Sequence, residues 1–145
     1  ELGASRIWPV ACDRSVVRLD AEKRLAKIDH WKKTALAACK QCDRNTLPQI
    51  LPVLTARELA EKFVEYDAVF VACPVEPEGE LSAQLLKKPS KILLSIGPEG
   101  DFSPEEMAAF KKAGARVVSL GPLILKSDTA AVTALSVLQF LTRQK

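Results

Sequence analysis

The chain contains 145 residues with a mass of 15.8 kDa, which is the size of one domain with a substantial hydrophobic core. Its 48% hydrophobic and 27% charged residues are typical of a soluble globular protein. No apolar run approaches the roughly 18 residues that would indicate a membrane span, so we expect no membrane partner.

The net charge of +3 is concentrated in the first third of the chain, because residues 1–50 contain ten Lys or Arg residues against six Asp or Glu residues. These cations could form a surface that faces nucleic-acid phosphates, although the interspersed Glu22 and Asp29 are equally typical of a solvated helix. The ten are Arg6, Arg14, Arg18, Lys23, Arg24, Lys27, Lys32, Lys33, Lys40 and Arg44.

The cysteines do not form a recognisable metal site. Cys39 and Cys42 have the spacing of a metal-binding or redox pair, but a structural zinc site needs four ligands. The sequence has no second pair, and its one histidine is His30. We therefore predict that all four cysteines, including Cys12 and Cys73, are reduced cytoplasmic thiols and that the chain binds no metal.

Segments with strand and helix patterns alternate along the chain, which predicts an α/β fold with a mostly parallel sheet covered on both faces. In the first half we predict a strand from Ile7 to Cys12, a helix from Asp20 to about Cys42, a short edge segment from Pro48 to Pro52, a capped helix from Thr55 to about Tyr66 and a strand from Ala68 to Ala72. In the second half we predict a loop from Pro74 to Gly79, a short helix from Leu81 to Leu86, a strand from Lys91 to Ile96, a helix from a Ser103 cap to Gly114, a strand from Arg116 to Ser119 and a last helix from Ser127 or Asp128 to about Arg143.

The apolar residues of two helices indicate which faces are buried. In the first helix the predicted buried positions follow three- and four-residue steps, at Leu25, Ile28, Leu36 and Cys39. The last helix is apolar around nearly its whole circumference, which predicts that all its faces are covered. Because a small domain offers little cover at its end, we expect a second subunit there, and hence a homodimer.

Two Gly-Pro segments contain most of the functional information. Ile96-Gly97-Pro98-Glu99-Gly100 follows one predicted strand, and Leu120-Gly121-Pro122-Leu123-Ile124-Leu125-Lys126-Ser127 follows the next. Loops at the carboxyl ends of neighbouring strands form the usual ligand site of an open α/β sheet. Glycine lets the backbone pass close to a ligand, and proline stiffens the turn. The pattern predicts a pocket lined by backbone N–H and C=O groups.

Several chemistries are excluded for this pocket. The full Gly-x-Gly-x-x-Gly run of dinucleotide sites is absent, and so is the Gly-Lys-Ser/Thr of a phosphate-binding P-loop. His30 lies far from both loops in sequence, which leaves no Ser/His/Asp candidate. The remaining features suit an adenine ring held among Leu120, Ile124 and Leu125. The polar side chains available at its rim are Glu99, Asp101, Lys126, Ser127, Asp128 and Thr129.

These loops closely resemble the signature of the RsmE-type 16S ribosomal RNA uridine-N3 methyltransferases. The matching residues are Ile96-Gly97-Pro98-Glu99-Gly100 and Leu120-Gly121-Pro122-x-Ile124-Leu125-Lys126-x-x-Thr129-Ala130. The resemblance covers most of the chain and is weakest over residues 52–90. It also includes Glu1-Leu2-Gly3-x-Ser5-x-Ile7-x-Pro9, Arg14-Ser15-Val16-Val17 with Leu19-Asp20, and Trp31 through Cys42-x-Arg44 to Pro48.

The resemblance implies a SPOUT fold, an α/β domain whose C-terminal part forms a deep trefoil knot, one of the rare exceptions to unthreaded chains. We expect residues 1–145 to be this domain alone, with the PUA-like RNA-binding barrel of the family absent from the chain. The resemblance also implies a homodimer that binds S-adenosylmethionine in the knot. The implied cofactor-binding residues are Cys73, Ile96, Gly97, Pro98, Glu99, Gly100, Leu120, Gly121, Ile124, Leu125, Ser127, Thr129 and Ala130.

The implied reaction moves a methyl group to N3 of a uridine in the 16S RNA of the small ribosomal subunit, in the cytoplasm and without a metal. Because uracil N3 is protonated at neutral pH, a base or an anion-stabilising group is needed. Lys126 is the best candidate for a charge near the target, with Arg14 or Arg44 available to hold phosphate or the uracil anion.

The chain departs from the family pattern at three places beside the loops. Asp101 replaces a glycine, Leu123 replaces an arginine, and residues 126–129 replace Arg-Thr-Glu-Thr. Leucine cannot supply the guanidinium that arginine would place near the site. Two alternatives therefore stay open: a SPOUT methyltransferase that acts on transfer RNA or another uridine, and a knotted RNA-binding or ribosome-assembly protein without turnover.

Overall fold

A computed structural model describes residues 1–15, 21–84 and 89–143 as a mixed α/β protein. Its helices are α1 (Ala21–Gln41), α2 (Ala56–Glu61), α3 (Pro104–Lys112) and α4 (Ser127–Arg143). Its strands are β1 (Arg6–Ile7), β2 (Val10–Ala11), β3 (Gln49–Ile50), β4 (Leu54–Thr55), β5 (Ala68–Ala72), β6 (Ile92–Ile96) and β7 (Arg116–Val118). Over these described ranges, no helix is both long and apolar enough to cross a lipid bilayer.

The main sheet has three parallel strands in the order β6-β5-β7. β5 is the central strand, and its register aligns Ala72 with both Ile96 of β6 and Val118 of β7. The strands therefore end at the same level, and the loops that follow them leave from one edge of the sheet. This geometry confirms the predicted parallel α/β arrangement.

β5 has a buried side chain on both faces of the sheet, because successive side chains of a strand point in opposite directions. Val69 and Val71 pack with Phe110 of α3 and with residues of α2. Phe70 faces the other way and packs with Ala134 of α4. The sheet is thus covered by α2 and α3 on one face and by α4 on the other.

The predicted strand from Ile7 to Cys12 is wrong in its extent. The structure divides it into β1, which pairs with β3, and β2, which pairs with β4. Pro9 lies between the two and has no backbone N–H to donate to a ladder, although its carbonyl accepts from Leu54 N at 3.0 Å. The Pro-flanked segment around β3 forms the short strand that its prolines predict.

Local capping signals place two helix starts correctly. Thr55 and Glu58 form a reciprocal capping box at α2, and Ser103 and Glu106 form another at α3. Two predicted ends are too late, because α2 stops at Glu61 before a separate 3-10 turn and α3 stops at Lys112. The 3-10 turn Leu81–Gln84 occupies part of a predicted short helix, whose remaining residues 85–86 lie outside the described part of the chain, as does the predicted helix start at Asp20.

The burial predicted for α1 is wrong at two positions, whereas α4 exposes faces for which a second subunit is the predicted cover. In α1, Leu25 and Leu36 are 70% and 41% exposed, although Cys39 is buried. In α4, Val132 and Phe140 are 57% and 66% exposed. Each of these helices therefore presents apolar side chains that the rest of this chain does not cover.

We expect Phe110→Ala to lower the free energy of unfolding by about 3–5 kcal/mol, because the ring is fully buried against Phe63 and Phe102. Val64→Ala is the control, because Val64 is 88% exposed and its truncation should cost less than about 0.5 kcal/mol. Urea unfolding of both variants measures the difference. Equal losses would contradict the placement of the core.

Candidate ligand site at the strand ends

A cavity of about 330 Å³ lies where β5, β6 and β7 end. Its wall is mostly aliphatic side chains and backbone of the two Gly-Pro loops, with a third side formed by the residues that follow β5. The lining residues are Ala72, Cys73, Pro74, Ile96, Gly97, Pro98, Glu99, Asp101, Ser119, Leu120, Gly121, Leu123, Ile124, Leu125, Lys126, Ser127 and Ala130.

The first Gly-Pro loop is a tight turn in which Asp101 N donates to the carbonyl of Pro98 at 2.9 Å. Asp101 has a φ of +58°, in the left-handed region that favours glycine and, among other residues, asparagine and aspartate. The replacement of the family glycine at this position is therefore compatible with the backbone. A Cβ placed on Gly97 would lie 2.6 Å from Asp101 Oδ1, so the aspartate fills the space beside Gly97.

The second Gly-Pro loop is held by Ser119, whose hydroxyl donates to the carbonyl of Gly121 at 2.9 Å and accepts from Gly121 N at 3.1 Å. Gly121 has a φ of +127°, which side chains disfavour, yet a Cβ there would have no neighbour within 4 Å. The glycine is thus required by its backbone conformation and not by crowding. Beyond it, Leu123 and Ile124 are 75% and 83% exposed at the mouth of the cavity.

The two loops are joined directly, because Ser127 Oγ donates to the carbonyl of Gly97 at 2.8 Å. Ser127 is the first residue of α4, and Gly97 is the first residue after β6. This contact brings together segments that are 30 residues apart in sequence. It makes the two Gly-Pro loops neighbouring walls of one cavity.

Cys73 forms the third wall at the end of β5. Its thiol donates to Asp101 Oδ2 at 3.0 Å, and its sulfur accepts from Val75 N at 3.4 Å. Burial, followed by the hydrogen bond to Asp101, raises the pKa of the Cys73 thiol to about 11. The thiol therefore keeps its proton at neutral pH and acts as a donor.

The structure brings most of the predicted cofactor-binding residues to the cavity wall. Eleven of the thirteen line it, and the exceptions are Gly100 and Thr129. Gly100 instead packs against Arg14, because a Cβ added to that glycine would lie 3.2 Å from the Cβ of Arg14. Thr129 is exposed on the first turn of α4.

The three predicted catalytic side chains lie at different distances from the cavity. Lys126 lines it and is exposed at its mouth. Arg14 donates from Nη1 to the carbonyl of Gly100 at 3.0 Å, so it contacts the outside of the first Gly-Pro loop. Arg44 does not line the cavity, and its Nε lies 3.4 Å from Thr46 Oγ1 in the segment after α1.

Residues before α1 dock on the start of α3 beside the first Gly-Pro loop. Ser103 Oγ donates to Asp13 Oδ2 at 2.9 Å, and Asp13 N donates to Glu106 Oε1 at 2.9 Å. Glu106 is buried, and its second oxygen accepts from Ser103 N at 2.8 Å. The segment before α1 is therefore held beside the loop by partly buried polar contacts of Asp13 as well as by Arg14.

A metal site, a reactive cysteine pair and a catalytic histidine gain no geometric support in the described residues. In the parts of the chain that the structure describes, no three His, Cys, Asp or Glu side chains gather as metal ligands. Cys39 and Cys42 are free thiols, each 3.7–3.9 Å from a backbone carbonyl. His30 is exposed on α1.

Two residues of the wall have roles that the sequence pattern did not indicate. Ser119 was predicted only as the end of a strand, and Asp101 only as a rim residue and a departure from the family. A serine two residues before a positive-φ glycine is a local signal for the Ser119 clamp. The contact between Asp101 and Cys73 spans 28 residues and has no local signal.

The chain is similar to known RNA methyltransferases over nearly all its length. Residues 1–139 match the model of the RNA methyltransferase domain family. The ribosomal RNA small subunit methyltransferase E of Bacillus subtilis is 34% identical over 98% of this chain and 58% of its own length. The protein of that name from Mycobacterium tuberculosis is 30% identical over 98% of this chain and 55% of its own length.

Solved structures share the fold as well as the sequence. The ribosomal RNA small subunit methyltransferase E of Neisseria gonorrhoeae bound to S-adenosyl methionine matches with a TM-score of 0.85 and 32% identity, over 97% of this chain and 57% of that one. A Legionella pneumophila protein in complex with the cofactor SAM matches with a TM-score of 0.89 and 33% identity, over 96% of this chain and 56% of that one. The chain thus spans little more than half the length of these proteins.

We expect Gly97→Ala to lower the free energy of unfolding by about 1–3 kcal/mol, because the new methyl group would lie 2.6 Å from Asp101 Oδ1. The same change in an Asp101→Gly background should cost less, because the carboxylate is gone. Thermal unfolding of the four proteins in this double-mutant cycle measures the coupling. Equal costs in both backgrounds would contradict the contact.

Proposed function

This chain belongs to the RNA methyltransferase domain family, and we propose that it transfers a methyl group from S-adenosylmethionine to N3 of a uridine in the 16S RNA of the small ribosomal subunit. The observation that most supports the proposal is the single cavity formed by both Gly-Pro loops and joined by the bond from Ser127 to Gly97. Similar proteins are named small subunit methyltransferases, and two similar structures contain the methyl donor.

The chain's own residues fit this donor. A cavity of about 330 Å³ lies within the range of small-molecule sites, roughly 300–1,000 Å³. Aliphatic side chains such as Leu120 and Leu125 can cover an adenine ring, while the backbone of the two loops can bond its edge. The positive φ of Gly121 turns the second loop without adding a side chain to the wall.

When bound, S-adenosylmethionine supplies the methyl group, so that N3 bonds to the methyl carbon while the carbon–sulfur bond breaks and sulfur keeps the electron pair. The N3 proton must pass to a base. Lys126, exposed at the cavity mouth, is placed to stabilise negative charge on the uracil ring. Arg14 lies on the outer side of the same loop, where it can hold an RNA phosphate.

Exposed cations of α1, among them Lys27, Lys32 and Lys40, extend a surface for the RNA backbone. Lys33 is paired with Asp29 at 2.7 Å, so this surface is not uniformly positive. Arg44 follows α1 and does not line the cavity, which supports a phosphate-holding role over a role at the uracil ring.

A trefoil knot in the C-terminal part is included in the proposal. Cys73, at the end of β5, lies along one edge of β7, where its N donates to Val118 O at 3.1 Å. Residues 78–80 pair with the opposite edge of β7, where Glu78 N donates to Val117 O at 2.8 Å. The loop after β5 therefore crosses the end of β7. The chain that leaves β7 runs the opposite way across the sheet, since Ser127 reaches Gly97 beyond β5, and this crossing of the two segments supports the proposed threading.

A homodimer is also included, because α4 exposes apolar side chains that a second copy could cover. Val132 and Phe140, about two turns apart on that helix, are 57% and 66% exposed. Scattered exposed apolar residues are common, but here they occur on a helix that is apolar on its other faces as well.

Titration calorimetry of the purified protein with S-adenosylmethionine tests the proposal first, and we expect one binding site per chain. Transfer of labelled methyl groups is then compared for small ribosomal subunits, naked 16S RNA and transfer RNA, with the subunit or its RNA expected to be methylated at uridine N3. Methylation of transfer RNA alone would favour a different substrate. Binding without transfer to any RNA would favour a non-catalytic RNA-binding protein, and no binding would exclude both enzyme functions.

We expect Gly121→Val to weaken S-adenosylmethionine binding at least about tenfold, because a β-branched residue at φ +127° would distort the loop at a cost of roughly 1–3 kcal/mol. Gly114→Val is the matched control, since Gly114 also has a positive φ of +94° and open space around it but follows α3 away from the cavity. Calorimetry and melting temperatures are measured for both variants. Equal binding by the two folded variants would contradict the placement of the site.

A further inference from the structure

Asp101 places a fixed carboxylate in the cavity wall. Oδ1 accepts from Phe102 N at 2.8 Å, and Oδ2 accepts from the Cys73 thiol at 3.0 Å. Cys73 follows β5, and Gly97, which lies beside the carboxylate, follows β6. The Asp101 carboxylate therefore lies at the end of the sheet and not at the exposed mouth of the cavity. The left-handed backbone of Asp101 keeps the side chain directed into this space.

The Asp101 carboxylate differs in burial from the other charged groups that line the cavity. The charged residues of its lining are Glu99, Asp101 and Lys126, of which Glu99 and Lys126 are exposed while Asp101 is partly buried. The two donors to Asp101 are a neutral thiol and a backbone N–H, and neither neutralises a negative charge. Because neither of these contacts is an ion pair, the carboxylate can still take a cationic partner from the cavity.

The methyl donor of the proposed function has two positive groups, the sulfonium and the α-ammonium of its amino-acid part. We propose that the Asp101 carboxylate binds one of these cations and thereby helps select the charged donor. This inference rests on the proposed function and adds a specificity residue that the family pattern, with glycine at this position, does not contain. The Cys73 thiol serves as a positioning group, because its hydrogen bond fixes Oδ2.

The test uses Asp101→Asn, which removes the charge while an asparagine still tolerates the left-handed backbone and can accept from Phe102 N. Glu105→Gln is the matched control, because Glu105 is an exposed carboxylate on the first turn of α3 that does not line the cavity. Asp101→Gly provides a second variant that suits the same φ. Melting temperatures establish that all of them fold.

Calorimetry is performed with three ligands that differ in charge. S-adenosylmethionine has both cations, S-adenosylhomocysteine has only the ammonium, and 5′-methylthioadenosine has neither. We expect Asp101→Asn and Asp101→Gly to weaken S-adenosylmethionine binding about tenfold or more, since each removes a hydrogen bond or ion pair between two charged groups. Glu105→Gln should leave it unchanged.

The other two ligands identify the cation. An unchanged affinity for S-adenosylhomocysteine would assign Asp101 to the sulfonium, whereas a parallel loss for that ligand, with 5′-methylthioadenosine unaffected, would assign it to the ammonium. The inference is overturned if the Asp101 variants bind S-adenosylmethionine normally, even if methyl transfer falls, or if all three ligands weaken equally. Failure of the wild-type protein to bind S-adenosylmethionine would instead refute the proposed function itself.

Discussion

The common end of three parallel strands is the constraint on which the candidate site depends. β5 is buried on both faces, and Phe70 and Val71 are completely inaccessible to solvent. With β6 and β7 aligned at Ala72, the loops that follow all three strands leave the sheet at one level. The cavity follows from this alignment, because each loop supplies one wall and the bond from Ser127 to Gly97 joins two of them.

The same edge of the sheet receives the N-terminal segment. Asp13 bonds to Ser103 and Glu106 at the start of α3, and Arg14 bonds to the carbonyl of Gly100. Arg14, which we propose holds an RNA phosphate, is therefore attached to the back of the loop whose front lines the cavity. In the proposed reaction this attachment relates the position of the RNA to that of the methyl donor, through polar contacts that are partly buried.

The structure shows how the chain accommodates the departures from the family pattern at Asp101 and Leu123. Asp101 is accommodated because aspartate tolerates the left-handed backbone at this turn, and its carboxylate gains a thiol donor from Cys73. Leu123 is 75% exposed at the cavity mouth, so its apolar side chain does not fill the interior. An arginine there would place a guanidinium at this rim, and among the charged residues that line the cavity Lys126 is the cation.

The features that could be predicted from sequence are those encoded by neighbouring residues. Capping boxes at Thr55 and Ser103, the apolar run of β5 and the Gly-Pro turns depend on contacts within a few positions. The missed features depend on distant partners or on a single proline. Pro9 divides a strand whose composition looks continuous, and Leu25 fits a helical periodicity but is 70% exposed.

The site shows the same division. The Gly-Pro motifs predicted which loops line the cavity, and the resemblance predicted the ligand that we propose for it. The contact between Cys73 and Asp101 and the position of Arg14 behind Gly100 were not predictable, because residues 28 and 86 positions apart meet only in the folded sheet.

A crystal structure of the protein with S-adenosylmethionine tests the central claim most directly. The account predicts electron density for the donor between the two Gly-Pro loops, with its adenine near Leu120 and Leu125 and one of its cations within hydrogen-bonding or ion-pairing distance of Asp101. Density for the donor at any other surface, with this cavity empty at saturating ligand, would contradict it.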